Sequence, residues 1–303
     1  MLPPVRSERP LGIGLVVTSA IGFGALGVLA RIADDEGADQ TAVLVLRFSL
    51  AALAFGAVRI VRRRPAPAGR ALLGLVLMGC LYFVQGACYF ASVDRGSPGL
   101  AALLLYAYPA LVVILSAVVL KERAPRPVLV ACAVALAGTA MIIGPTVGDG
   151  NPSAIAFGLT TAFTYSGYII IGSRVLERVD PIWSSTVIMG TAAVCNVVQY
   201  LLSSPRPDGP STGAAWAAVL ALAVVATIIP VATFLAGLAR IGPADASTLS
   251  SIEPATSVLL SAVVIGETLT VWSLVGGLLV IGAVVAIGRL GPPVDLVEPA
   301  PAA

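Results

Sequence analysis

One acidic residue inside an apolar stretch is the strongest candidate for chemistry in this chain. Glu253 lies about nine residues into an apolar run, with Ser250 three residues before it and Ser257 four residues after it. In a helix this spacing places the three side chains on one face. Because a low-dielectric medium disfavours a charged carboxyl, Glu253 could load and release a proton or hold a cationic substrate amine. It could also close a structural hydrogen bond.

Tyrosines and small polar side chains at helical spacing form a second group of candidates. They are Tyr82, Gln85 and Tyr89 in one apolar run, and Thr161, Thr164, Tyr165 and Tyr168 in a later one. An aromatic wall with a few hydroxyl groups and one amide suits a small amphipathic solute. Hydroxyls in lipid also join neighbouring helices. We predict that all of these residues except Tyr165 line a cavity, and that Asn196 and Gln199 only join helices.

Three prolines lie inside apolar runs, where each removes one helical hydrogen bond and frees the carbonyl four residues before it. They are Pro109, Pro230 and Pro254, which free the carbonyls of Leu105, Ala226 and Ser250. In a membrane such carbonyls are tolerated where protein or cavity water satisfies them. These positions are predicted hinges of a gate, and a purely structural kink is the alternative.

Composition excludes most enzymatic chemistry. The chain has no histidine, a single lysine at Lys121 and four scattered cysteines. Triads and zinc sites that need histidine are therefore absent, and no GxxxxGK motif precedes Lys121. We expect no enzyme activity, no cofactor, no metal and no nucleic-acid partner.

The candidate residues must be positioned by membrane-spanning helices. Of the 303 residues, 58% are hydrophobic and 11% are charged, and the mean hydropathy is +0.97. Apolar runs of about twenty residues match a hydrocarbon core about 30 Å thick. Ten such runs are predicted, at about 11–30, 41–61, 71–92, 98–120, 128–145, 154–174, 182–202, 213–239, 244–265 and 271–289.

The chain contains an internal repeat. At an offset of 145 residues, Pro109 to Glu122 aligns with Pro254 to Glu267, and nine of the fourteen positions are identical. The same offset aligns Arg95 with Arg240, and Tyr108 with Glu253. Because each unit holds five helices, the two copies must be inverted in the membrane, as in many secondary transporters. We therefore predict two inverted five-helix repeats, with Tyr108 and Glu253 in an asymmetric site between them.

The predicted domains are a cytoplasmic tail at 1–10, a first repeat at 11–145, a second repeat at 154–290 and a cytoplasmic tail at 291–303. Fourteen basic residues fall on the side of the N-terminus and three on the other side. The positive-inside rule then places both termini in the cytoplasm and the protein in the cell membrane. Oligomeric state does not follow from this pattern.

The repeat motifs resemble those of the EamA family of the drug/metabolite transporter superfamily. The similarity rests on Pro109 to Arg123 and Glu253 to Glu267, each followed by a glycine-rich helix, and on Arg47-Phe48 in the second run. The resemblance implies a transporter of a small organic metabolite, such as an amino acid or an amphipathic solute, acting as an exporter by alternating access. From its place in the membrane interior, Glu253 could couple such transport to protons. Arg47 lies about six residues inside the second run, which predicts a structural anchor, with a ligand for a substrate carboxylate as the alternative. A membrane-embedded lipid-processing protein and a non-transporting scaffold are the alternatives.

Overall fold

The computed structural model describes residues 8–62, 66–96, 98–122, 124–144, 151–176, 179–203, 208–266 and 268–289. The predicted tail at 291–303, residues 1–7 of the other tail and Glu267 lie outside these ranges. Within them, every regular element is a helix. The predicted all-α class is therefore confirmed.

Ten helical segments correspond to the ten predicted spans, with ends that differ by a few residues. They are α1 (Arg9–Asp35), α2 (Gln40–Arg62), α3 (Gly69–Arg95), α4 (Pro98–Leu105, Tyr108–Leu115 and Ser116–Leu120), α5 (Arg126–Ile143), α6 (Pro152–Val175), α7 (Pro181–Leu202), α8 (Gly213–Ile241), α9 (Pro243–Leu249, Ile252–Leu260 and Ser261–Ile265) and α10 (Val271–Arg289). In the described chain, α1 to α9 each contain a stretch long and apolar enough to cross a membrane, and α10 contains a shorter apolar helix.

Helices α4 and α9 are broken in the same way, which shows the repeat in the backbone. Each helix is interrupted about eight residues after its first residue, before Tyr108 in α4 and before Ile252 in α9. Each ends in a π-helical turn, Ser116–Leu120 or Ser261–Ile265, and these two turns are 145 residues apart. The next residue is left-handed in both, with φ 59° at Lys121 and 81° at Gly266. The sequence repeat is thus also a repeat of helix irregularities.

The packing of helices follows a half-turn relation between the two repeats. Helix α3 packs along α6, and the equivalent pair, α8 and α1, also packs closely. The other two extensive pairs, α2 with α7 and α5 with α10, join a helix to its own repeat copy. Exchanging the repeats therefore maps the main contacts onto one another. With five helices in each unit, this is the inverted architecture that the repeat predicts.

The crossing of α5 and α10 depends on two glycines. A Cβ atom on Gly276 would overlap the Gly138 carbonyl oxygen and the Ile142 side chain, and a Cβ atom on Gly138 would overlap the Gly276 carbonyl oxygen. Small residues between membrane helices usually serve to let two helix backbones approach closely. A Cβ atom on the adjacent Gly277 would have no neighbouring atom within 4 Å.

We expect Gly276→Ala to destabilise the protein and Gly277→Ala to leave it unchanged. Overpacking a tight contact costs about 1–3 kcal/mol, whereas an added methyl group at Gly277 meets open space. Thermal unfolding of the two purified variants in one detergent checks this difference. Equal melting temperatures would show that the crossing tolerates more separation than the backbone contact implies.

Candidate functional site

A cavity of about 790 Å³ lies between the two repeats. Its wall includes residues of α1 to α7 and of α9, so both halves contribute to it. The volume falls within the range of small-molecule sites, about 300–1,000 Å³. Its polar members from the membrane interior are Arg47, Tyr82, Gln85, Tyr89, Tyr106, Tyr108, Tyr165, Asn196, Glu253 and Ser257.

Most of the residues predicted for binding lie on this wall. They are Tyr82, Gln85, Tyr89, Tyr108, Glu253 and Ser257, together with the predicted hinge Pro254. The remaining predicted residues, Thr161, Thr164, Tyr168, Ser250, Pro109 and Pro230, are not among the lining residues. Tyr165 does line the cavity, contrary to the sequence prediction. The structure thus gathers side chains from helices far apart in sequence, while their part in binding stays a prediction.

The two threonines of α6 satisfy their hydroxyl groups locally. Thr161 donates to the Phe157 carbonyl oxygen at 3.0 Å, and Thr164 donates to the Thr160 carbonyl oxygen at 2.8 Å. Bonds of this kind to the preceding turn are common for threonine in helices. The shorter bond of each hydroxyl is therefore to its own helix, and the Thr161 hydroxyl also reaches the Gln85 carbonyl oxygen of α3 at 3.4 Å.

Tyr168 and Ser250 belong to the layer behind the cavity wall. Tyr168 is 2% exposed, and its ring lies 5.8 Å from that of Tyr165 and 5.5 Å from that of Tyr82. Ser250 is fully buried and lies beside the Tyr108 hydroxyl. Both residues support lining tyrosines from behind.

The breaks in α4 and α9 position Tyr108 and Glu253 at equivalent points of the two repeats. Pro109 and Pro254 follow these residues directly, and the Ser250 carbonyl that Pro254 frees accepts a bond from the Glu253 amide at 3.0 Å. Gly24 of α1 packs on this segment, since a Cβ atom there would lie 2.9 Å from the Glu253 carbonyl oxygen. The third proline, Pro230, packs against Gly22 instead.

The Glu253 carboxyl group has one free oxygen. Its Oε2 atom accepts a hydrogen bond from the Tyr106 hydroxyl at 3.3 Å. Its Oε1 atom is buried and has no hydrogen-bond partner in the described chain. A buried carboxyl oxygen without a donor is costly, and a proton or a substrate ammonium group would satisfy it. Sequence reasoning missed Tyr106, whose only signal is its place in the α4 break.

We expect Tyr106→Phe to weaken substrate binding by about three- to tenfold, because the net contribution of a typical hydrogen bond is about 1 kcal/mol. Binding is expected to become weaker because the Tyr106 hydroxyl holds the Glu253 carboxyl group in place. Binding titrations of the purified variant check it, with Tyr200→Phe as a matched change away from the lining residues. An unchanged affinity would mean that Tyr106 does not orient Glu253.

Two polar residues of α7 also reach the wall. Asn196 is 3% exposed, and its amide nitrogen donates to the Ala192 carbonyl oxygen at 2.7 Å. Gln199 lies one turn further along α7, and it lines the cavity as well. Both amides line the cavity, whereas the sequence predicts that they only join helices.

The cavity reaches the surface at one face of the bundle and is closed at the other. Its outer wall contains exposed residues at the ends of α2 and α3, Asp39, Gln40 and Asp94. On the N-terminal face, Arg9 pairs with Asp245 at 2.8 Å, and both side chains are nearly buried. A second ion pair there joins Arg240 to Glu8 at 3.1 Å. The bundle therefore has one open and one closed face.

An all-helical bundle of two inverted repeats around a one-sided cavity is the construction of a secondary transporter. Comparison with known proteins agrees. The profile of the EamA-like transporter family matches residues 10–144 and again 152–289. The chain belongs to this family, and it is a transporter rather than an enzyme. It is embedded in a lipid bilayer and carries small molecules.

Relatives support this assignment. The chain is 30% identical to a probable amino-acid metabolite efflux pump of Salmonella typhimurium, over 78% of this chain and 81% of the pump. It is 28% identical to an uncharacterized transporter of Archaeoglobus fulgidus, over 92% of this chain and 96% of the relative. A crystal structure with 20% identity superposes with a TM-score of 0.82, covering 93% of this chain and 99% of that one. This last similarity concerns the fold alone.

Proposed function

We propose that this protein exports a small organic metabolite, an amino acid or a related amphipathic solute, across the cytoplasmic membrane by alternating access. The observation that supports the proposal is the cavity itself. It opens at one face and does not reach the N-terminal face, where two ion pairs join the helices, and it contains a carboxyl group that has a free oxygen. The names of the relatives in Salmonella typhimurium and Escherichia coli favour amino-acid metabolites.

Transport is coupled to protons if a proton and a substrate ammonium group compete for Glu253. Either one would give the Glu253 Oε1 atom the partner that it lacks, and the two cannot bind there at the same time. Substrate release on one side would then allow protonation, and the neutral carboxyl could return through the apolar interior at lower cost than a charged one. This exchange of one cation for another links solute export to proton entry.

Transport in proteoliposomes tests the proposal. A panel of radiolabelled amino acids is supplied with and without an imposed pH gradient, and a protonophore serves as the control. We expect at least one amino acid to move faster than in empty liposomes, with a rate that the protonophore lowers. A lipid-processing protein or a scaffold would instead give no protein-dependent flux for any member of the panel.

The proposed orientation has its own test. With both termini in the cytoplasm, a reporter that is active only in the cytoplasm is expected to be active when fused after Ala303. A fusion in the α1–α2 connection, after Gly37, is expected to be inactive. The reverse pattern would place the open face of the cavity toward the cytoplasm.

A further inference from the structure

Arg47 is a buried cation on the cavity wall that the proposed coupling does not use. It lies seven residues along α2, about 10 Å from the start of the helix at 1.5 Å per residue. The residue is 6% exposed, and it lines the cavity. A guanidinium group at this depth is costly in a membrane and marks a functional position unless its charge is compensated.

Two donor nitrogens of Arg47 bond to neutral groups of α8, and these contacts leave its positive charge without an acidic partner in the described residues. Its Nε atom donates to the Thr227 hydroxyl oxygen, and its Nη2 atom donates to the Ala226 carbonyl oxygen at 3.2 Å. The guanidinium carbon lies 5.1 Å from the centre of the Phe48 ring. No carboxylate of the described chain forms an ion pair with Arg47. All of these partners are electrically neutral.

An irregular turn of α8 orients this guanidinium group. Ala226 and Thr227 belong to a π-helical turn of α8, Val224–Ile228, and Pro230 leaves the Ala226 carbonyl without its helical donor. The Thr227 hydroxyl donates to the Leu222 carbonyl oxygen at 2.8 Å, so its lone pairs remain available to Arg47. An irregular turn of one repeat thus orients the arginine of the other. Such preorganisation lowers the cost of binding an anion.

When Glu253 is deprotonated, Arg47 and Glu253 contribute opposite charges to one cavity, and the two side chains form no ion pair with each other. The side chain of Tyr82 is near both groups. A zwitterion could therefore place one charged group at each residue, and its apolar part could contact the tyrosine rings. This arrangement would compensate both charges at once, which a simple amine or a simple acid would not do.

We infer that Arg47 is the carboxylate subsite of the cavity, so that a zwitterionic solute lies with its carboxylate at Arg47 and its ammonium group at Glu253. The inference rests on the proposed function, and it adds the residue that selects amino acids over amines. The alternative is that Arg47 only fastens α2 to α8.

Three related ligands separate these roles. Phenylalanine carries both charged groups, phenethylamine lacks the carboxylate, and 3-phenylpropanoate lacks the amine; leucine, 3-methylbutylamine and 4-methylpentanoate form a parallel set. Binding of each to the purified protein is measured for wild type, Arg47→Gln and Glu253→Gln. We expect Arg47→Gln to weaken binding of the amino acid at least tenfold and to leave binding of the amine within about twofold. Glu253→Gln is expected to weaken binding of both the amino acid and the amine, and to leave binding of 3-phenylpropanoate within about twofold.

Two further variants separate charge from folding. Arg47→Lys keeps a positive charge and is expected to keep the preference for the amino acid over the amine. Thr227→Val removes the partner of Nε without removing the charge, and it is expected to keep that preference too. If Arg47→Gln and Thr227→Val weaken all ligands equally, Arg47 is a fastening residue and the inference is overturned while the carrier remains. If wild type binds neither amino acid, the proposed function is overturned and the inference with it.

Discussion

Replacing Glu253 by glutamine is expected to abolish proton-driven transport, with a loss of at least tenfold in the flux that a pH gradient produces. Glutamine keeps the size of the side chain and can still accept from the Tyr106 hydroxyl, which lies 3.3 Å from Glu253 Oε2. It cannot bind and release a proton, and it cannot attract an ammonium group as a carboxylate does. The variant therefore removes the charge while preserving the packing.

The matched control is Asp34→Asn, which also converts an acid to its amide. Asp34 is exposed and does not line the cavity, so gradient-driven flux is expected to match that of wild type. Flux is measured in proteoliposomes with equal amounts of reconstituted protein. A Glu253→Gln variant that still responds fully to the gradient would remove Glu253 from the coupling mechanism, and the carrier would need another proton site.

Replacing Asp245 by asparagine is expected to open the N-terminal face of the bundle. The Arg9–Asp245 pair is nearly buried, with side-chain exposures of 13% and 8%. Removing one partner of a fully buried pair costs about 3–5 kcal/mol, so we expect a loss of roughly 2 kcal/mol here. That amount changes an equilibrium constant about thirtyfold. Because Arg9 also donates to the Ile287 carbonyl oxygen at 3.4 Å, the change should loosen α1, α9 and α10 together.

A native cysteine reports this opening. Cys132 of α5 is 4% exposed and lies beside Thr248 of α9. In a protein whose other three cysteines are replaced by serine, labelling of Cys132 by a maleimide is expected to be slow. We expect Asp245→Asn to accelerate it about tenfold or more.

The control for this experiment is Asp35→Asn, which breaks an exposed ion pair. Arg31 and Asp35 are 3.7 Å apart, and their side chains are 59% and 65% exposed. Such surface pairs contribute about 0–1 kcal/mol, so labelling of Cys132 should not change. Equal labelling in Asp245→Asn and wild type would show that the buried pair does not close this face.

Much of the fold follows from the sequence, since membrane helices are encoded by local composition. The ten apolar runs form ten helices because no backbone polar group can stay unsatisfied in lipid. The 145-residue repeat predicts equivalent breaks in α4 and α9, because Pro109 and Pro254 interrupt the same hydrogen bond in each copy. The π-helical turns before Lys121 and Gly266 have no such signal in the sequence.

The site is harder to predict than the fold. Glu253 is conspicuous because it is a charge in an apolar run, whereas Tyr106 depends on the local geometry of a broken helix. Spacing alone predicts that Thr161 and Thr164 line the cavity, but it does not show that a threonine hydroxyl bonds to its own helix. The sequence does not distinguish an anchor from a ligand at Arg47, because the neutral partners that hold this side chain come from α8, 180 residues away.

Counterflow measures whether one cavity opens alternately to the two faces of the membrane, which is the basis of the proposed carrier mechanism. Proteoliposomes are loaded with a high concentration of unlabelled amino acid and diluted into a trace of the labelled form. Alternating access predicts that label accumulates transiently inside, above its outside concentration. A cavity that has released unlabelled substrate outside binds label there and carries it inward, and the excess of unlabelled substrate inside competes with label for the way out. Equal, monotonic equilibration with and without preloading would indicate a channel or no transport, and would contradict alternating access.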